Sequence, residues 1–261
     1  MIIDGKTVLV TGTSRGIGQA LVEEALQRGA ARVYAAARHP VAHPDELVTP
    51  LIMDVSDAKQ IQQAAVRVES LDLLINNAGI QPFDDLSGPV ALEQALAINL
   101  FGPYRVSQAF LPALARARGT IVNNLSLAAL APVPFAPAYS ISKAAALSLT
   151  QSLRMLLARD GVSVYSVLTG PVDTEMTRGL EIPKASPESV ARAIFDGIEN
   201  GDEDIFPDVL SQALAEGWRG GVAMQFERQN AALLPPRRTR RELTPEQTPS
   251  AAVRAGIPRC P

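Results

Sequence analysis

Between Thr7 and Phe206 the chain alternates short apolar, β-branched runs with segments of helical period. Thr7–Thr11 (TVLVT) is an unbroken apolar run bounded by glycines, the pattern of a strand buried on both faces of a parallel sheet. The segment after it puts Ile17, Ala20, Leu21 and Ala25 at offsets 0, 3, 4 and 8, a helical stripe, and Gly29 stands where a C-terminal cap belongs. The same reasoning predicts further strands at Arg32–Ala37, Leu47–Met53, Leu71–Asn76, Thr120–Leu125, Val162–Leu168 and, shortest, Glu203–Phe206. Helices are predicted at Ala58–Val68, Val90–Ala117 (one long or broken), Tyr139–Arg159 and Pro187–Glu199. Leu149, Leu153, Leu156 and Leu157 form an apolar stripe expected to face the core. Seven strands separated by helical segments imply right-handed crossovers and an α/β fold, a doubly wound parallel sheet with helices on both faces. Such sheets bind ligands beyond the carboxyl ends of their strands, which here means around Gly12, Arg38, Asp54, Asn76, Ser126 and Gly170.

Composition narrows the class. With 47% hydrophobic and 20% charged residues over 261 positions, the chain can bury a sizeable core and is neither collagen-like, coiled-coil nor mainly disordered. Residues 1–234 read as a single domain, whereas 235–261, with six prolines and no apolar periodicity, read as a disordered Pro/Arg-rich tail. Six arginines against two glutamates give that tail a charge of +4, which leaves −7 on residues 1–234 out of the net −3. An acidic body offers no broad face to a phosphate backbone, so a nucleic-acid partner is not expected. Cys260 is the single cysteine, which excludes a disulfide framework and a thiolate zinc site and fits a reducing compartment. No apolar run approaches the roughly 20 residues that span a bilayer, and Met1–Lys6 is not the start of a signal peptide. A soluble, cytoplasmic protein with no membrane partner is expected.

The chemistry-bearing residues gather at the predicted strand ends. Thr11-Gly12-Thr13-Ser14-Arg15-Gly16-Ile17-Gly18 joins the first strand to the first helix with three glycines. Glycines there let a backbone approach a pyrophosphate, and the helix N-terminus offers free N–H groups and a positive dipole end. Tyr139 and Lys143 are four apart, hence on one helical face. A phenol with a pKa near 10 is a poor proton carrier at neutral pH. Lowering it by ~3 units takes ~4 kcal/mol of differential stabilisation, which an adjacent ammonium and an oxidised nicotinamide ring together can supply in a partly desolvated cleft.

The Gly-x3-Gly-x-Gly turn, Asn76-Asn77-Ala78-Gly79 after the fourth strand, Asn99, Ser126 thirteen residues before Tyr139, and Tyr139-Ser-Ile-Ser-Lys143 together resemble the short-chain dehydrogenase/reductase family, in its branch of about 250-residue chains. The resemblance implies a Rossmann-type fold and a nicotinamide-dependent enzyme acting on CH–OH or C=O groups. It implies that Gly12, Ser14, Arg15, Gly16, Ile17 and Gly18 hold the pyrophosphate side of the cofactor, with Asn77, Ala78 and Gly79 beside them. Lys143 would hold the nicotinamide ribose, Ser126 would hydrogen-bond the substrate oxygen, and Asn99 would keep a water that links Lys143 to solvent. Asp54 and Val55 would contact the adenine, although an Asp at that point is also a helix cap in the making. Gly170, Val172 and Thr174 would pack on the nicotinamide. The family has Pro-Gly there, and Thr169-Gly170 implies a less rigid loop. The helices at 90–117 and 139–159 would form the interface of a homodimer or homotetramer.

Cofactor choice is read at the end of the second strand. Enzymes that take NAD place an Asp or Glu there to accept from the ribose 2′-hydroxyl. This chain has Ala35-Ala36-Ala37-Arg38, so Arg38 and Arg15 can clamp a 2′-phosphate, and NADP(H) is expected over NAD(H). His39 and His43 each precede a proline and lack a third ligand, so no metal is expected. Asp84 and Asp85 read as solvated loop residues. Leu127, Val133 and Phe135 supply an apolar wall between Ser126 and Tyr139, with Leu180 and Ile182 closing over it, suited to a small, moderately apolar, uncharged carbonyl substrate. The alternative is a regulatory protein of the same fold that senses NADP(H) without turnover, which would have no need of the tyrosine–lysine pair.

Overall fold

The computed structural model describes residues 1–40 and 42–231. Residues 1–221 form one compact unit, and a second begins at Val222. The sheet comprises β1 (Thr7–Thr11), β2 (Arg32–Ala37), β3 (Val48–Ile52), β4 (Leu73–Asn76), β5 (Thr120–Asn124), β6 (Ser163–Val167) and β7 (Asp204–Ile205). All seven are parallel, in the order β3-β2-β1-β4-β5-β6-β7. Helices α1 (Gly16–Gln27), α2 (Ala58–Arg67), α3 (Val90–Asn99), α4 (Phe101–Ala117), α5 (Pro137–Leu157) and α6 (Pro187–Asn200) connect them. Two elements were not expected: α7 (Val209–Arg219) in the first unit and α8 (Val222–Ala231), the described part of the second. The Pro/Arg-rich tail and Cys260 lie outside the described residues. No described helix is long and apolar enough to cross a membrane.

The apolar strands are covered on both sides, which is why they read as unbroken runs. Val8 and Val10 of β1 enter the core under α1 and α6, whereas Leu9 between them faces the cluster under α2, α4 and α5. β4 divides in the same way, with Leu73 and Ile75 on one side and Leu74 on the other. Gly29, at φ +79°, ends α1 in a Schellman turn: its N–H donates to the Leu26 carbonyl and that of Ala30 to the Ala25 carbonyl. The helix predicted over Val90–Ala117 breaks at Leu100, because Pro103 has no N–H to donate to the Asn99 carbonyl. The stripe on α5 is narrower than expected: Leu153 and Leu157 are buried, but Leu156 is 53% exposed.

The strand order reverses between β1 and β4, whose neighbours lead away in opposite directions. At their carboxyl ends the crossover connections diverge to opposite faces and open a crevice.

Candidate active site

The crevice is a cleft of about 800 Å³ that runs along the carboxyl edge of the sheet. At one end the glycine turn leaves β1. Gly12 (φ +72°) packs so closely on the loop after β4 that a Cβ there would lie 2.8 Å from the Ala78 Cα. At Gly18 a Cβ would lie 2.0 Å from the Gly12 carbonyl oxygen. The turn therefore folds back on itself with room for backbone alone. Arg15, the N-cap of α1, makes no side-chain cap, and the first turn of α1 carries no acidic residue. The free N–H groups of that turn and their dipole suit an anion. Ser14, Arg15, Gly16, Ile17 and Gly18 all line the cleft, and Arg38 and Asp54 stand on the same wall.

Asp54 does not cap α2. Asp57 does, accepting from the N–H groups of Lys59 and Gln60, while Asp54 accepts from both the N–H and the hydroxyl of Ser56. Partial burial opposes the charged form of Asp54, but the Ser56 bonds and the nearby Arg38 outweigh it and hold the carboxyl below its usual value. Val55 lines the cleft and also packs on Gly102 of α4.

A polar chain ties the strand ends together. The Thr11 hydroxyl accepts from the N–H groups of Asn77 and Ala78, each at 3.0 Å. The Asn77 amide donates to the carbonyls of Thr11 and Gly12, and its oxygen accepts from Asn124. The Thr169 hydroxyl in turn donates to the Asn124 side-chain oxygen at 3.0 Å. Thr169, where the family has a proline, is thus a buried anchor of this loop on β5. Asp208, the N-cap of α7, pins the next residue by accepting from the Gly170 N–H at 2.7 Å. Thr174 and Thr177 close the far end of this loop with a reciprocal cap. Gly170, Val172 and Thr174 all face the cleft.

At the other end of the cleft α5 starts at Pro137 and presents Tyr139 and Lys143 one turn apart, with the Lys143 Nζ 5.7 Å from the centre of the Tyr139 ring. Lys143 Nζ donates to the Asn124 carbonyl at 2.8 Å. Ser126 Oγ accepts from the Ala128 N–H, which leaves its own hydrogen for a partner, and it stands near the Tyr139 hydroxyl. Burial pushes the Tyr139 phenol up, and the nearby Ser126 hydroxyl opposes that only in part. Burial also pushes Lys143 down, to about 8. Loss of water thus disfavours both charged forms in the cofactor-free protein.

Asn99 does not line the cleft but lies behind Gly79, whose Cβ would come 3.2 Å from the Asn99 Oδ1. Its oxygen accepts from the Ile80 N–H, and its amide donates to the Ile80 carbonyl and to Ser142 Oγ, all at 2.9 Å. The side chain is committed to pegging the loop after β4, so only the main-chain carbonyl, deprived of its helical donor by Pro103, remains for a water.

Asp84 departs from expectation too. Its carboxylate accepts from the Ala138 N–H and so caps α5, whose own N-cap residue, Ala136, has no side chain able to do so. Thr11, Asn124 and Asp208 were not singled out as site residues by the sequence, and Thr169 only as the replacement for a proline, although two asparagines closing the wholly buried strand TIVNN are an anomaly that points to the site.

The comparisons agree with this geometry. A family model described as short chain dehydrogenase matches residues 6–184. The chain is 40% identical over 188 residues to Short-chain dehydrogenase PC-15 of Penicillium crustosum, covering 66% of this chain and 68% of that one. It is 39% identical over 184 residues to the NADPH-dependent 1-acyldihydroxyacetone phosphate reductase of Schizosaccharomyces pombe, covering 66% and 61%. A crystal structure of a short-chain dehydrogenase from Burkholderia cenocepacia in complex with NADP superposes with a TM-score of 0.79 at 36% identity, over 90% of this chain and all of that one. With the fold, the glycine turn and these likenesses in hand, the chain belongs to the short-chain dehydrogenase family of nicotinamide-dependent oxidoreductases.

Proposed function

We propose that this protein is an NADP(H)-dependent reductase that interconverts a carbonyl group and a secondary alcohol on a small, uncharged, moderately apolar substrate, with Tyr139 as the general acid and base. The observation that carries the reading is the meeting, in one cleft, of the Ser126–Tyr139–Lys143 cluster with the uncapped N-terminus of α1. The glycine turn, too tight for any Cβ, fits a pyrophosphate, and Arg15 and Arg38 fit a 2′-phosphate beside it. Asp54 and Val55 suit the adenine, and Gly170, Val172 and Thr174 with Asn77, Ala78 and Gly79 suit the nicotinamide half. The bound nicotinamide supplies the hydride.

The protein's own residues do the rest. In reduction, the hydroxyls of Ser126 and Tyr139 hydrogen-bond the substrate carbonyl oxygen and polarise it. Tyr139 then gives its proton to that oxygen as negative charge develops there. The Lys143 ammonium stabilises the phenolate left behind, and a water kept by Asn99 would link Lys143 to solvent as a route for the proton. Oxidation runs the same steps backwards. One charged hydrogen bond to the 2′-phosphate, worth ~1.5 to 3 kcal/mol, corresponds to a preference for NADPH of ~10- to 100-fold. The comparisons support this choice, since one relative is named as NADPH-dependent and one superposed structure holds NADP.

Exposed apolar side chains on α4 (Phe101, Tyr104) and on α5 (Ile141, Leu156) support a homodimer or homotetramer through those helices. A cytoplasmic location belongs to the same reading. A panel of aldehydes and ketones, with consumption of NADPH and NADH followed separately, tests it. Turnover with NADPH in preference to NADH is expected. Tight NADPH binding without turnover of any carbonyl would replace the enzyme with a sensor of the cofactor.

A further inference from the structure

The mouth of the cleft is built from two loops far apart in sequence. Phe83 lies in the loop after β4 and Phe135 in the loop before α5, and their rings stand 5.8 Å apart at 34° to one another. Both line the cleft, yet they are 62% and 42% exposed. Aromatic residues are only 5% of this chain, so two of its seven phenylalanines at one rim are a large share spent on surface that packing does not bury. Apart from Tyr139, they are the only described cleft-lining residues that carry a benzene ring, the wall between being aliphatic.

Asp84 fastens the pair. Its N–H donates to the Phe135 carbonyl, and its carboxylate accepts from the N–H groups of Leu86 and Ala138. Ala138 is the residue before Tyr139. One residue therefore ties the two together: its main-chain N–H holds the Phe135 segment of the rim, and its carboxylate holds its own loop and the first turn of the helix that carries the proposed acid. A flat ring can pack edge-to-face or offset on two rings held in advance.

We propose that Phe83 and Phe135 are specificity-determining residues that select carbonyl substrates bearing an aromatic substituent, with Asp84 as the positioning residue that holds them. The inference rests on the reductase reading but narrows it to aryl ketones and aldehydes.

The test compares acetophenone with cyclohexyl methyl ketone, near-equal in size and both uncharged, on the protein loaded with NADP⁺. Dissociation constants by ligand-observed NMR are read first, and kcat/KM with NADPH second. The wild type is expected to prefer the aryl ketone by about 2- to 10-fold in binding. Phe83→Leu and Phe135→Leu keep an apolar rim and are each expected to bring that ratio near one. Asp84→Ala is expected to lower the ratio as well, and a loss of activity at an unchanged ratio would deny Asp84 its role at the rim. A wild-type ratio at or below one, or a ratio untouched by either leucine, overturns the proposal. Because the ratio is read from binding, absence of turnover with both ketones would count against the reductase reading and leave the aryl preference standing or falling on its own measurement.

Discussion

Removing Arg38 separates the two nicotinamide cofactors. The residue follows β2 on the cleft wall, and its charge acts on Asp54 across that wall. An exposed guanidinium is screened by solvent, so its charged hydrogen bond to a 2′-phosphate belongs at the lower end of the usual ~1.5 to 3 kcal/mol. Arg38→Ala should therefore weaken NADPH binding by roughly 10-fold and leave NADH within about a factor of two. Arg15→Ala should do the same, and the double variant should approach ~100-fold if the two side chains act independently. Fluorescence titration with each reduced cofactor measures all four proteins without any knowledge of the substrate. Repetition at high salt should shrink the wild-type preference, because the Debye length falls from ~10 Å at 0.1 M to ~3 Å at 1 M. Equal weakening of both cofactors in Arg38→Ala, or no change in either, would refute the charge argument.

Four further outcomes follow from the same geometry. Gly18→Ala places a methyl group 2.0 Å from the Gly12 carbonyl, so the turn must open; binding of both cofactors, followed by fluorescence, should be lost together, in contrast to the selective loss at Arg38. Lys143 titrates near 8 and must be charged to support Tyr139, which must itself be a phenol in reduction; since both shifts favour the neutral forms, kcat/KM for carbonyl reduction should be level below pH 8 and fall as pH rises through it. The same depressed lysine costs folding stability while charged in both states, so cofactor-free protein should gain stability between about pH 8 and 10 in denaturant melts, and Lys143→Met should remove the gain. Asp208→Ala removes a buried acceptor from the Gly170 N–H and the cap of α7 at once, for an expected loss of about 2 kcal/mol by urea unfolding and a raised KM for NADPH, whereas Asp208→Asn should recover part of both.

Much of this molecule was legible because local chemistry and topology agree. A run such as TVLVT can satisfy its side chains only where both faces are covered, and a turn with three glycines before a helical stripe leaves few alternatives to a tight strand-to-helix corner. The missing parts depend on long-range partners. Asp84 caps α5 across 54 residues, and Asp208 holds Gly170 across 38, separations at which no periodicity operates. The cap at Asp57 is legible, since Gln60 three residues on gives the spacing of a capping box, whereas Asp54, three residues earlier, fits the role by residue type alone. Leu156 fits the helical stripe on α5 by spacing alone, and only the packed neighbours decide that it points outward. Burial likewise decided the Tyr139 phenol, because proximity of a lysine is visible in sequence and the loss of water around both groups is not.

The central claim is that the hydroxyl of Tyr139 moves the proton in step with reduction of the carbonyl. Tyr139→Phe deletes that one oxygen and keeps the ring that packs with Ala128 and Ala136. Single-turnover reduction of a carbonyl substrate by the NADPH-loaded variant, with its melting and cofactor affinity checked alongside, is the direct measurement. The account predicts wild-type NADPH affinity and a rate lower by about 10² or more. A correctly folded variant that reduces the carbonyl at the wild-type rate would contradict it.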